Sequence, residues 1–346
     1  MLVNVPDKRL PGFKLALAAT VFTVGVIVLG AFTRLVDAGL GCPDWPVCYG
    51  HILWPMSDAE VAAANAAFPD TPVEHDKTWP EQVHRLLASS LGLFCIALLV
   101  NAWRQRRTFG DQLAPFKLPI FLLIMILLQG AFGRWTVTLN LWPQVVTTHL
   151  LGGFATLSLL WLLTLRLNNY HWVVSPEQSQ VVQRLRPVFV VVLLLVIAQI
   201  TLGGWTSSNY AALACPDLPM CQGQWLPNMD FARGFDIGQS IGPNYLGGIM
   251  DSAARTAIHF SHRVGAIIVT VAVVYMVLKL RATALASARQ WSDSLLAVLI
   301  LQLSLGLSNV IWSIPLVVAV AHNAVGAILL ITLVGLGHRL YTVQIK

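Results

Sequence analysis

Charge is what this chain has least of. Asp, Glu, Lys and Arg make up 11% of its 346 residues, against about 25% in a soluble domain, which excludes an ordinary water-soluble fold. The ~10-residue alternation of an outer-membrane barrel is missing too. So is an Arg- and Ser-rich stretch ahead of the first apolar run, which favours a bacterial protein over an imported mitochondrial one. The Ala-x-Ala site of that run, Ala16-Leu17-Ala18, lies at its start, where signal peptidase does not cut, so the run reads as part of the fold. Cysteine is scarce: Cys95 is mid-span and reads as a small packing residue, and the other four form two Cys-x5-Cys pairs in loops.

What is abundant is apolar sequence, 56% of the chain. Eight runs, near 14–33, 83–102, 117–138, 145–165, 187–206, 256–278, 294–312 and 316–337, approach the ~20 residues that cross a bilayer. With a cytoplasmic N-terminus, 15 of the 22 Lys and Arg fall on the inner side and 12 of the 16 acids on the outer. Positive-inside reasoning then places both termini in the cytoplasm. The net charge of +6 is a topology signal, and no nucleic-acid partner is expected.

The chain is also written twice. Cys42-Pro-Asp-Trp-Pro-Val-Cys48 returns 173 positions later as Cys215-Pro-Asp-Leu-Pro-Met-Cys221. Gly30 and Gly203, Gln129 and Gln302, and His149 and His322 keep that offset, while His84-Arg85 returns as His262-Arg263. Each copy carries four spans, an even number, so both halves face the same way. The expected fold is an all-α integral membrane protein. Its eight transmembrane helices form two tandem four-helix bundles related by a pseudo-twofold axis along the membrane normal. Residues 1–180, with a long outer loop 34–80, make the first bundle, and 181–346, with loop 207–255, the second. The polar segment 166–187 is the expected linker, and Ser57-Asp58-Ala59-Glu60 the capping box of a short surface helix.

His84, His149, His262 and His322 open the second, fourth, sixth and eighth spans from outside, so each bundle aims two imidazoles at one centre. Two facing imidazoles in a helix bundle are the ligand set of a six-coordinate haem. A polar side chain inside a membrane marks function, since an ionised one costs ~2.5–3.5 kcal/mol there on insertion scales. The competing reading is four satisfied histidines near the interface, which duplication disfavours. Arg85 and Arg263 are candidate propionate contacts, or ordinary interfacial arginines. Three residues before His84 stands Glu81, and three before His262 stands His259, each on its ligand's helical face. Glu81 fits a reactive carboxylate, a Thr78–Glu81 capping box, or an i+4 pair with Arg85. An oxidising outer face favours disulfides Cys42–Cys48 and Cys215–Cys221, structural or redox-active, over zinc, which has no supporting ligand pattern. His51, His75, His171 and His338 read as surface residues.

Taken together, Thr33-Arg34-Leu35, Gly39-Leu40, the two Cys-Pro-Asp motifs, Glu81-Gln-Val-His84-Arg85, Gln129-Gly130, His149-Leu150, Gln199-Ile-Thr-Leu-Gly203-Gly204, His259-Phe-Ser-His262-Arg263 and Ala321-His322 resemble the haem A synthase family over nearly the whole chain. The resemblance implies a membrane enzyme that oxidises a ring methyl of haem O to a formyl group through hydroxylated intermediates, supplying haem A to terminal oxidases. It implies a prosthetic haem b on His262 and His322, substrate haem on His84 and His149, and catalytic Glu81 beside the reacting methyl. The expected setting is a bacterial inner (plasma) membrane with the haem sites toward the periplasm. The expected partners are an electron donor, the haem O synthase and oxidase assembly factors. Two alternatives remain, a dihaem b-type electron carrier and a haem-handling or export protein without chemistry.

Overall fold

The computed structural model describes residues 9–109, 115–283 and 285–346; Lys8, counted above among the inner basic residues, and the N-terminus lie outside them. Among the described residues, eight helices are long and apolar enough to cross a membrane. They are α1 (Phe13–Leu35), α3 (His75–Phe109), α4 (Lys117–Thr138), α5 (Pro143–Asn168), α6 (Pro176–Ser208), α8 (Ser252–Arg281), α9 (Ala286–Ile311) and α10 (Leu316–Tyr341). Two short helices, α2 (Asp58–Ala67) and α7 (Phe231–Gly234), lie in the long loops. Two strands, β1 (Val173–Val174) and β2 (Gln344–Ile345), pair in parallel and join the mid-chain link to the far end. Backbone groups in hydrocarbon have no water to bond, so apolar runs of this length satisfy themselves as helices.

Contacts close each half on itself. α1 touches α3 and α5, and α4 bridges α3 to α5; likewise α6 touches α8 and α10, and α9 bridges α8 to α10. The halves meet through α1 with α10, α5 with α6, and α5 with α10. One apolar core gathers Ala16, Leu91, Cys95, Leu122 and Leu160 of the first quartet. A larger one joins Val192, Met276, Leu295 and Leu333 to Ile27 and Leu157 across the junction. Leu93, Leu127 and Ile267 point outward and are exposed, the pattern of helices solvated by lipid.

The turn between α4 and α5 is repeated between α9 and α10. Asn140 and Leu141 take positive φ (51° and 60°), as do Ser313 and Ile314 (52° and 59°). In each, the second residue's N–H bonds a carbonyl five residues back, Leu141 to Thr136 and Ile314 to Asn309, at 2.8 Å.

Several expectations need correction. The segment 166–187 is mostly helix, not linker: α5 runs to Asn168 and α6 begins at Pro176, capped by the reciprocal Ser175/Gln178 box. Likewise α3 starts at His75, well before its apolar run. Hydropathy sees only the part of a helix inside hydrocarbon, and both helices continue into polar surroundings. The Ser57/Glu60 capping box of α2 forms as expected. His338 is buried at 7% exposure and stacks on half-buried His171, ring centroids 6.3 Å apart, so neither is a free surface histidine. His51 is half-buried and His75 exposed.

Candidate functional site

All four repeated histidines lie at the loop-bearing ends of their helices, half-buried. His84 and His149 are close enough for their charges to interact, as are His262 and His322. Each imidazole lies against a glycine of the neighbouring helix: His84 on Gly30, His149 on Gly133, His262 on Gly203 and His322 on Gly306. A Cβ at those glycines would stand 2.7, 3.6, 3.2 and 3.1 Å from the ring's Cε1. The glycines are therefore packing floors for the rings. Gly306 escaped sequence reasoning, although it stands 173 residues after Gly133.

Among the described residues, Nδ1 of His84, His149 and His322 has no hydrogen-bond partner despite being buried. Unpartnered buried polar atoms cost ~1–3 kcal/mol each, and two neighbouring imidazoles on helices of one bundle fit axial ligation of a haem iron. Gln302 places its Nε2 3.3 Å from Nε2 of His322, and its duplicate Gln129 lies against Gly152 on the same helix as His149.

The pairs differ in two places. Gln199 donates from Nε2 to the backbone carbonyl of His262 at 2.9 Å and lies 3.0 Å from its Nδ1. The residue 173 positions earlier is Val26, which has no side-chain polar atom to offer His84. The second difference is Glu81 against His259. Glu81, 5% exposed, accepts the N–H of Cys42 at 2.9 Å through Oε2 and pairs with Arg85 through Oε1. His259, equally buried, accepts the N–H of Cys215 at 3.2 Å through Nδ1. A carboxylate and an imidazole thus do the same structural task. The Thr78–Glu81 capping box does not form, because α3 is already under way at His75 and Glu81 is engaged elsewhere.

Over each site sits a disulfide loop, Cys42–Cys48 and Cys215–Cys221, built alike in both copies. Asp44 accepts the N–H groups of Tyr49 (2.6 Å) and Gly50 (2.7 Å), and Asp217 those of Gln222 (2.6 Å) and Gly223 (2.8 Å). The N–H groups of Gly223 and Gln222 hold the Asp217 carboxyl below its ordinary range. Arg85 donates to the carbonyls of Asp44 (2.7 Å) and Val47 (2.8 Å), and Arg263 to those of Asp217 (2.8 Å), Met220 (2.8 Å) and Cys215 (2.6 Å). In this structure the two arginines therefore strap the loops to the helices that carry His84 and His262.

Between the halves, Arg34 donates to the carbonyl of Ser207 at 2.5 Å and stacks over the Tyr210 ring. Tyr210 donates to Asp37 at 2.7 Å. Each of these hydrogen bonds joins residues 173 apart, so a position meets its own duplicate.

Comparison with known proteins adds the lineage. A family model described as cytochrome oxidase assembly protein matches residues 13–334. The heme A synthase of Shewanella oneidensis is 47% identical over 321 residues, 93% of this chain and 94% of that one. That of Halalkalibacterium halodurans is 26% identical, covering 92% and 94%. That of Methylobacterium radiotolerans is 29% identical, covering 87% and 82%.

Proposed function

The chain belongs to this cytochrome oxidase assembly family, and from that membership we propose that it acts as a heme A synthase, a haem O oxidoreductase that yields haem A. The observation that carries the reading is a pair of duplicated two-imidazole sites whose surroundings have diverged. The C-terminal site, where Gln199 donates to the main-chain carbonyl of His262 at 2.9 Å, is the one we assign to a resident group, since that bond ties the turn carrying the ligating imidazole to the neighbouring helix. His262 and His322 would hold haem b there, which supplies one-electron transfer when bound. His84 and His149, without a glutamine bonded to either ligand's main chain, suit a haem that arrives as substrate and leaves as product.

Glu81 lies one turn before His84 on the same face. Cys42 N–H and Arg85 hold its two oxygens in place, so it presents an oriented carboxylate to the substrate's ring methyl. Arg85 and Arg263 shape the rim of each site through the disulfide loops, and a substrate propionate would have to share their guanidinium groups with loop carbonyls. Contact of residues with their own duplicates supports two four-helix bundles about a pseudo-twofold axis along the membrane normal. The basic-residue bias supports an inner-membrane setting with the loop side outward.

The test is expression in a host that makes haem O, with Glu81→Ala and His259→Ala alongside and extracted haems identified by mass. Haem A or its hydroxylated precursor in the wild type, lost in Glu81→Ala while haem b is retained, is the expected result. Unmodified haem O throughout, with a working electron donor present, would refute it.

A further inference from the structure

The disulfide loops carry a feature that catalysis does not use. Beyond each bridge the chain turns back through an isolated antiparallel pairing, Cys48 with His51 and Cys221 with Gln224. The next two residues are apolar and exposed in both copies. Ile52 and Leu53 are 75% and 46% exposed, and their duplicates Trp225 and Leu226 are 70% and 76% exposed. Within the bridged loops themselves, Trp45 and its duplicate Leu218 are also exposed. Apolar character and exposure are thus kept at three matched positions although the residue type changed at two of them, Trp45 to Leu218 and Ile52 to Trp225. Exposed apolar groups clustered this way mark an interaction surface.

Their height above the helices identifies the occupant. Arg85 and Arg263 strap the loops beside the turns carrying His84 and His262. Gln82, two residues before His84, donates to the carbonyl of Ile52 at 2.5 Å, which holds that tip against the same turn. Further along these helices the exposed surface is apolar, Leu93 and Ile96 on α3 and Val264 and Ile267 on α8. The tips therefore continue the lipid-facing surface at its edge, where tryptophan and aliphatic side chains settle at a bilayer interface. Residues 42–56 and 215–232 contain no Lys or Arg, so the tips themselves offer anionic headgroups no cation, and their hold on the membrane is apolar.

We propose that these duplicated apolar tips rest in the lipid leaflet on the loop side and pin both disulfide loops to the membrane over the histidine sites. The test uses the full chain with Cys95→Ala and a single added cysteine, Ile52→Cys, Leu53→Cys, Trp225→Cys or Leu226→Cys, bearing a spin label. Each protein is reconstituted in phosphatidylethanolamine and phosphatidylglycerol vesicles, and collision with dissolved oxygen is compared with collision with a water-soluble nickel chelate. Lipid-facing Ile267→Cys and loop-borne Asp70→Cys set the two limits. The expected oxygen-to-nickel ratio at all four tips is several-fold above the Asp70 value and near that of Ile267. It should not change when phosphatidylcholine replaces phosphatidylglycerol. A water-like ratio in either copy overturns the proposal and leaves the tips to a protein partner. Low collision with both reagents, meaning cover by protein, overturns it as well.

Discussion

Replacing the four packing glycines by alanine should damage the histidine sites in a definite order. The added methyl at Gly30 would lie 2.7 Å from Cε1 and 3.2 Å from Nε2 of His84, inside any tolerable contact, so the ring must move. At Gly306 and Gly203 the nearest ring atom is 3.1 and 3.2 Å away, and the ring must yield by a few tenths of an ångström. At Gly133 it is 3.6 Å, ordinary van der Waals distance. Overpacking of this kind costs about 1–3 kcal/mol. If the moved ring is an iron ligand, the loss appears as roughly five- to 150-fold weaker haem binding at that site. Haem titration of purified variants, followed by the low-spin bis-imidazole spectrum, measures it. Gly30→Ala should lose N-terminal occupancy with the C-terminal spectrum intact, Gly306→Ala and Gly203→Ala should do the reverse more weakly, and Gly133→Ala should be nearly silent. Equal damage from Gly133→Ala and Gly30→Ala, with folding unchanged, would refute the reasoning, because ring displacement by the new methyl would not be the cause.

Other outcomes follow from the same geometry. Gln199→Val, which copies the first half's Val26, should weaken haem b retention about 10- to 100-fold, the usual cost of losing a ligand's orienting partner; unchanged dissociation of haem b would exclude an orienting role. Arg263→Ala removes the donor to three loop carbonyls and should cost at least ~1.5–3 kcal/mol of loop stability. Faster reduction of Cys215–Cys221 by a water-soluble phosphine reports that loosening, and an unchanged rate would show that the loop holds itself. The Ser57 and Met56 N–H groups, with the Ser57 hydroxyl, hold Glu60 down to about 2 from 4.5. A depressed carboxylate stabilises above its unfolded value and loses that support as pH falls through the folded one. The first turn of α2 should therefore persist at neutral pH and fray only between 4.5 and about 2, as amide exchange at residues 58–62 would reveal.

The eight spans were legible because lipid imposes apolar length, and the histidine pairs because duplication printed them twice. The starts of α3 and α6 were not, since the polar turns at His75–Gln82 and Pro176–Pro187 carry no hydropathy signal. The capping-box pattern was right at Ser57–Glu60 and wrong at Thr78–Glu81. The same four-residue pattern serves either purpose, and only the fold brings Cys42 N–H to Glu81. The strapping role of Arg85 and Arg263 was hidden for a related reason: their partners are main-chain carbonyls, which any residue would provide. Gln199 was visible as part of a motif, but its meaning lay in Val26 at the matching position. His338 looked like a surface residue because its stacking partner, His171, lies in a different half of the sequence.

The junction between the halves has a further consequence for how such a chain came to be a single polypeptide. Arg34 meets Ser207 and Asp37 meets Tyr210, each the counterpart of the other in the repeat. If the two halves were once separate, identical subunits, each of these positions would have faced itself. Two first halves pairing today would set one Arg34–Asp37 ion pair against another, with no Tyr210 ring beneath the guanidinium and no phenol to donate to the carboxylate. Two second halves would bring Ser207 to Ser207 and Tyr210 to Tyr210, with neither the guanidinium nor the carboxylate that now bonds them. Divergence has thus made the seam directional: the first half brings the ion pair, the second the Tyr210 ring and hydroxyl, and neither copy repeats what the other supplies.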